Sequence, residues 1–156
     1  MNIKFTLLGC GSSMGVPRTD GFFGNCDPNN QKNYRTRCSA LITYNKTNTL
    51  IDTSPDLRQQ LLNSNIRNIH NVLYTHFHAD QTHGINDLRI FYLKNKNKIP
   101  IYCDMLTAKY LKDNFSYCFT NKYDYPSILN LKKLKKTFYL GFKNNNIKIN
   151  AIPVKH

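Results

Sequence analysis

The chain has 156 residues, with 40% hydrophobic and 12% aromatic side chains, enough apolar material for one domain with a core and too much for a disordered chain. Lys and Arg total 22 against nine acids, a formal charge of +13, and every acid is Asp. No apolar run approaches the ~18 residues of a membrane helix, and the opening Met1–Gly9 stretch is too short in apolar residues for a signal peptide. A soluble, cytoplasmic protein is therefore expected. The 21 asparagines beside the lysines point to a compositional bias more than to a polyanion-binding surface. The densest cation cluster, Lys132, Lys133, Lys135 and Lys136, has no interleaved aromatics for base stacking.

In chain order, residues 3–8 read as a strand, followed by a Gly/Asn/Pro-rich stretch over 9–37. Segments 39–44 and 49–53 pair around Asn45–Asn48. Ser54-Pro55-Asp56 opens a helix, Ser54 as its cap and Pro55 in its first turn, with an apolar stripe of Leu57, Leu61 and Leu62 and with Arg58, Gln59 and Gln60 outward; Asn63-Ser64-Asn65 closes it. A short buried strand over 71–75 leads into a polar, histidine-rich segment, 76–84. Ile85, Leu88, Phe91 and Tyr92 then recur at helical spacing. Residues 99–103 form a strand that Pro100 places near an edge, 105–115 a helix, and 137–142 and 147–154 two further strands. Paired strands alternating with helices give an α/β fold with a mixed sheet.

Five cysteines, an odd number with no CxxC pair, argue against a disulfide framework. Cys103 sits in an apolar run and reads as a buried thiol. The glycine-rich turn after the first strand has the spacing GxGxxxG, followed by Pro17, which is not a dinucleotide fingerprint. No GxSxG elbow is present for a nucleophilic serine.

The chemistry concentrates at Thr75-His76-Phe77-His78-Ala79-Asp80-Gln81-Thr82-His83-Gly84, three imidazoles and a carboxylate at the end of a strand. His76 and His78 alternate by two, so in an extended segment both turn toward one ion with Phe77 opposite. Imidazole and carboxylate suit Zn²⁺, Mn²⁺ or Fe²⁺.

These residues resemble the HxHxDH hallmark of the metallo-β-lactamase superfamily. The likeness is to the branch of phosphonate-operon cyclic phosphodiesterases related to tRNA 3′-end processing nucleases. It is carried also by the segments Gly9–Arg18, Arg37-Cys38-Ser39, Ile51–Arg58 and Gly84–Arg89. The resemblance implies an αββα sandwich, here incomplete, with residues 1–156 as the N-terminal portion of the domain and the C-terminal portion absent. It implies metal-dependent hydrolysis, of phosphodiesters in this branch, with Zn²⁺ as the leading cofactor and Mn²⁺ the alternative. By residue, His76 and His78 correspond to first-metal ligands and Asp80 to the second-metal carboxylate and proton acceptor. His156 falls where a third histidine follows a strand.

Asp52 resembles a carboxylate beneath the metal loop, which either orients an imidazole or caps backbone amides. Gln81 departs from the pattern, which has histidine there, and His83 is a candidate substitute at the second metal. The resemblance spans little more than the first half of such a protein. Three readings follow: a truncated hydrolase, one fragment of a split enzyme completed by a partner fragment or a second copy, or a catalytically inactive remnant.

Overall fold

The computed structural model describes residues 2–121, 124–142 and 145–155. Six strands make one sheet in chain order: β1 (Ile3–Gly9), β2 (Ser39–Tyr44), β3 (Thr47–Ile51), β4 (Asn71–Leu73), β5 (Ile99–Cys103) and β6 (Leu129–Lys133). The first three run antiparallel and β3 to β6 parallel. The β2–β3 hairpin turns through two residues, Asn45 and Lys46, both at positive φ (44° and 67°), the backbone that matches the twist of a two-residue hairpin.

Parallel neighbours need crossovers, and these hold the helices: α1 (Leu57–Asn63), α2 (Ala79–Thr82) with a 3-10 turn and α3 (Arg89–Asn95), and α4 (Met105–Asn114). Successive right-handed crossovers moving in one direction across a sheet lay their helices on one face. The burial agrees. Leu41, Leu50, Val72 and Ile101, which register across β2 to β5, are fully buried and pack with Leu57, Leu61, Ile85, Leu88, Phe91 and Leu111 from the helix side.

The opposite face is covered in part by a two-stranded sheet, β7 (Thr137–Phe142) and β8 (Asn145–Asn150). Phe138 stacks on Tyr102 of β5 at 5.1 Å, and Leu140 is buried. Beyond that hairpin Ile3, Phe5 and Leu7 of the edge strand β1 stay 56–67% exposed. The architecture is thus a helix layer, a mixed sheet, and two strands against the sheet's other face. No helix among the described residues is long and apolar enough to cross a membrane.

Three features differ from the sequence expectations. Residues 129–133 form β6, with Leu129 buried and Lys132 and Lys133 exposed, so half of the lysine cluster belongs to an edge strand. In α1, Gln60 is buried and Leu62 is 46% exposed. Leu62 lies five residues after Leu57, about 140° round the helix, whereas Gln60 falls beside Leu61 on the inner side. The Gln60 NH₂ group donates to the Arg37 carbonyl (2.7 Å) and the Thr36 hydroxyl (3.1 Å), while its Oε1 is buried without a partner among the described residues. Ser54 does not cap α1; its hydroxyl accepts from the Asp56 amide in a tight turn (3.1 Å).

Candidate metal centre

The parallel strands β3 and β4 end side by side, and the histidine segment leaves from that end, where open α/β sheets place their ligands. Asp52, directly after β3, adopts φ 59°, and its amide donates to the Leu73 carbonyl (2.9 Å). This turns the carboxylate toward Thr75. Oδ1 accepts from the Thr75 amide (2.8 Å) and Oδ2 from the Thr75 hydroxyl (2.7 Å). Asp52 is only 5% exposed, and burial, with the Asp80 charge adding to it, pushes its carboxyl up to about 6 against the pull of the two Thr75 bonds.

From Thr75 the contacts run outward. Its hydroxyl lies 3.0 Å from His76 Nδ1, and His76 Nε2 lies 3.0 Å from His78 Nδ1. The two rings stand nearly perpendicular (77°) with centroids 4.5 Å apart. Phe77 turns to Tyr110 of α4, centroids 5.6 Å apart. Asp80 lies in α2, and its Oδ2 accepts from the Gln81 side-chain amide (2.9 Å). That amide also donates to the Cys38 sulfur (3.2 Å), while its own oxygen is buried without a partner among the described residues.

The position of α2 is set from beneath. The Thr53 amide donates to the Gln81 carbonyl (2.7 Å), and its hydroxyl bonds the Thr82 carbonyl (3.0 Å) and Tyr74 hydroxyl (2.9 Å). Gly84 closes the segment against the Thr53–Ser54 backbone. A Cβ there would sit 2.0 Å from the Ser54 carbonyl oxygen, so only glycine permits the approach.

Zinc bound at ~2.0–2.1 Å by two imidazoles in a tetrahedral shell separates their nitrogens by roughly 3.3 Å. The facing nitrogens of His76 and His78, at 3.0 Å, fit two positions of such a shell. Among the described residues no three His, Cys or Asp side chains gather closely enough to hold a cation by themselves. His156 lies outside the described residues. His83 Nε2 is engaged by the Tyr110 hydroxyl (3.1 Å), and its ring meets Phe115 edge-on.

Sequence reasoning missed Thr75 as the link between Asp52 and His76, although it adjoins His76. It also missed Arg37, whose side chain is paired with Asp56 and feels the Asp80 charge. Nothing local marks a contact across that separation. A groove of about 580 Å³ lies elsewhere, between α1 and α3, floored by Leu61, Ile66 and Phe91.

Residues 47–156 match the Beta-lactamase superfamily domain. The chain belongs to that superfamily. It is 32% identical over 155 residues to a protein of Porphyromonas gingivalis named octanoyltransferase, covering 99% of this chain and 31% of that one. Among solved structures it resembles a diphosphatase of the PhnP family at 29% identity and TM-score 0.75, covering 91% of this chain and 54% of the other. The zinc-bound PqqB of Methylobacterium extorquens shares the fold at 19% identity and TM-score 0.62, over 87% of this chain and 47% of that protein. This superfamily member therefore spans about half the length of those two structures and a third of the curated relative.

Proposed function

We propose that residues 1–156 form the cation-binding N-terminal portion of a divalent-metal-dependent hydrolase acting on phosphodiesters or related diphosphate esters. The observation that carries this reading is the pair of imidazole nitrogens facing each other at 3.0 Å at the carboxyl end of the parallel strands. The likeness to the PhnP-family diphosphatase, at 29% identity, supports the phosphoryl substrate class.

In this reading His76 Nε2 and His78 Nδ1 hold the cation, with His156 as the third imidazole. Zn²⁺ is the first choice on donor chemistry and Mn²⁺ the second. Such a cation supplies Lewis acidity and a water acidic enough to ionise near neutral pH. Asp80 serves as a carboxylate ligand at a second cation or as the proton acceptor, with Gln81 holding its Oδ2, and His83 is a further candidate donor. Asp52 orients the loop from below through its bonds to Thr75.

The open apolar face of β1 supports a second element of the proposal. A complementary segment covers Ile3, Phe5 and Leu7 and brings the remaining donors. Phosphodiester hydrolysis then requires that segment, while cation binding does not.

The test is zinc content after purification, read with turnover of a chromogenic phosphodiester. Zinc bound by the wild type and absent from the His76→Ala/His78→Ala double variant is the expected result. Unchanged zinc in the double variant would put the centre elsewhere.

A further inference from the structure

Thr75 is where two sets of hydrogen bonds meet. A hydroxyl has one proton to donate and two lone pairs. The Asp52 carboxylate, ionised at pH 8, only accepts, and its Oδ1 is already occupied by the Thr75 amide. The Thr75 hydroxyl proton therefore goes to Oδ2, 2.7 Å away. What remains toward His76 Nδ1, at 3.0 Å, is a lone pair, so that ring nitrogen bonds Thr75 only by carrying the proton itself.

We propose that Thr75 is a positioning residue: its hydroxyl relays the Asp52 carboxylate to His76, fixing the imidazole proton on Nδ1 and leaving the Nε2 lone pair directed at His78. The carboxylate thus acts on the ring through an inserted hydroxyl. A ligating imidazole generally needs its second nitrogen tied down in this way, and loss of the tie weakens metal binding. Thr75 is exposed while Asp52 is buried, so the relay leads from the protein interior to the surface where the two imidazoles face. The tautomer follows from this chain's own bonds. Only its consequence for cation affinity rests on the proposed function.

The relay has a polarity that can be reversed. In Asp52→Asn the amide oxygen must face the Thr75 amide proton, which sets the NH₂ group against the Thr75 hydroxyl. The hydroxyl proton then turns to His76 Nδ1, and the ring proton moves to Nε2. The corresponding carboxylate-to-amide change in a catalytic triad imposes the wrong tautomer in the same manner.

The experiment uses the metal-free full chain labelled with ¹⁵N-histidine, its imidazole tautomers read at pH 8 from long-range ¹H–¹⁵N spectra. His76 is assigned by difference against His76→Gln. The wild type is expected as Nδ1–H, Asp52→Asn as Nε2–H, and Thr75→Val as a mixture, with Thr75→Ser restoring Nδ1–H. Zinc affinity, measured by chelator competition, is expected to fall about 10–100-fold in Asp52→Asn and Thr75→Val and to recover in Thr75→Ser. Nε2–H in the wild type overturns the relay without recourse to any variant, and so does Nδ1–H persisting in both Asp52→Asn and Thr75→Val. If the tautomers shift as described but the wild type takes up no zinc, the relay stands and the metal-centre reading falls.

Discussion

A carboxylate at the start of a helix is drawn both to the helix amides and to any nearby cation. Asp56 stands at the N-terminus of α1 but makes no side-chain cap there. Both its oxygens go to Arg37: Oδ2 accepts from the Arg37 amide (2.8 Å) and Nε (2.9 Å), and Oδ1 from Nη2 (2.6 Å). The bidentate fork outcompetes the cap because a charged donor pair is worth more than a neutral amide. The Arg37 guanidinium holds the Asp56 carboxyl below its ordinary value, outweighing a partial burial that pushes the other way. A depressed carboxylate stabilises the fold above the unfolded-state value of about 4 and loses that contribution as pH falls through the folded value. Arg37→Met should therefore lower stability by about 1–2 kcal/mol at pH 7, given that both side chains are partly solvated. The gap to the wild type should narrow at pH 3. Urea midpoints at the two pH values measure it; a gap equal at both would assign the effect to packing of the arginine stem.

At the scale of elements, α2 has only four residues and no apolar repeat, so nothing within it specifies a helix. Its placement comes from Thr53, fully buried after β3, whose hydroxyl reaches carbonyls of α2 and the Tyr74 hydroxyl beyond β4. Thr53→Val keeps the shape and strands these partners in a dry site, a loss of about 2–4 kcal/mol. A chemical-denaturation curve reads the stability. Amide exchange should show faster opening of residues 79–84 than of β2 and β3, and uniform acceleration across the sheet would contradict the role given to Thr53. The same dependence on distant partners explains what the sequence conceals. His76 and His78 are separated by one residue, and alternation alone turns their rings toward each other. Gln81 and Cys38 meet across 43 residues and Arg37 and Asp56 across 19, contacts that no local pattern encodes. Strand β6 escapes notice because, as an edge strand, it buries chiefly Leu129 and carries lysines that read as a solvated charge run. Strands β1, β2, β3 and β5 are legible because their apolar residues are packed closely enough in sequence to exclude a loop.

For the molecule as a whole, two opposing surface properties decide its behaviour in solution. A charge of +13 on 156 residues repels other copies. The free face of β1 attracts them: Ile3, Phe5 and Leu7 register with Tyr44, Ile42 and Ala40 on the side of the sheet away from the helices, and all three are more than half exposed. Covering those three side chains would contribute about 3 kcal/mol, which on its own corresponds to association at roughly millimolar protein concentration once repulsion is screened. Charge repulsion reaches about 30 Å at 0.01 M salt and about 8 Å at 0.15 M, whereas apolar burial does not weaken with added salt. The chain should therefore be monomeric at low salt and self-associate as salt rises. Replacing Ile3, Phe5 and Leu7 together by threonine keeps β-propensity on an exposed edge and should abolish the association without shifting the melting temperature by more than a few degrees. Sedimentation velocity across a salt series, with melting curves of both proteins, tests this. Association that weakens with salt in the wild type would trace to charge pairing and leave the β1 face uninvolved; association that persists in the triple variant would locate the sticky surface elsewhere.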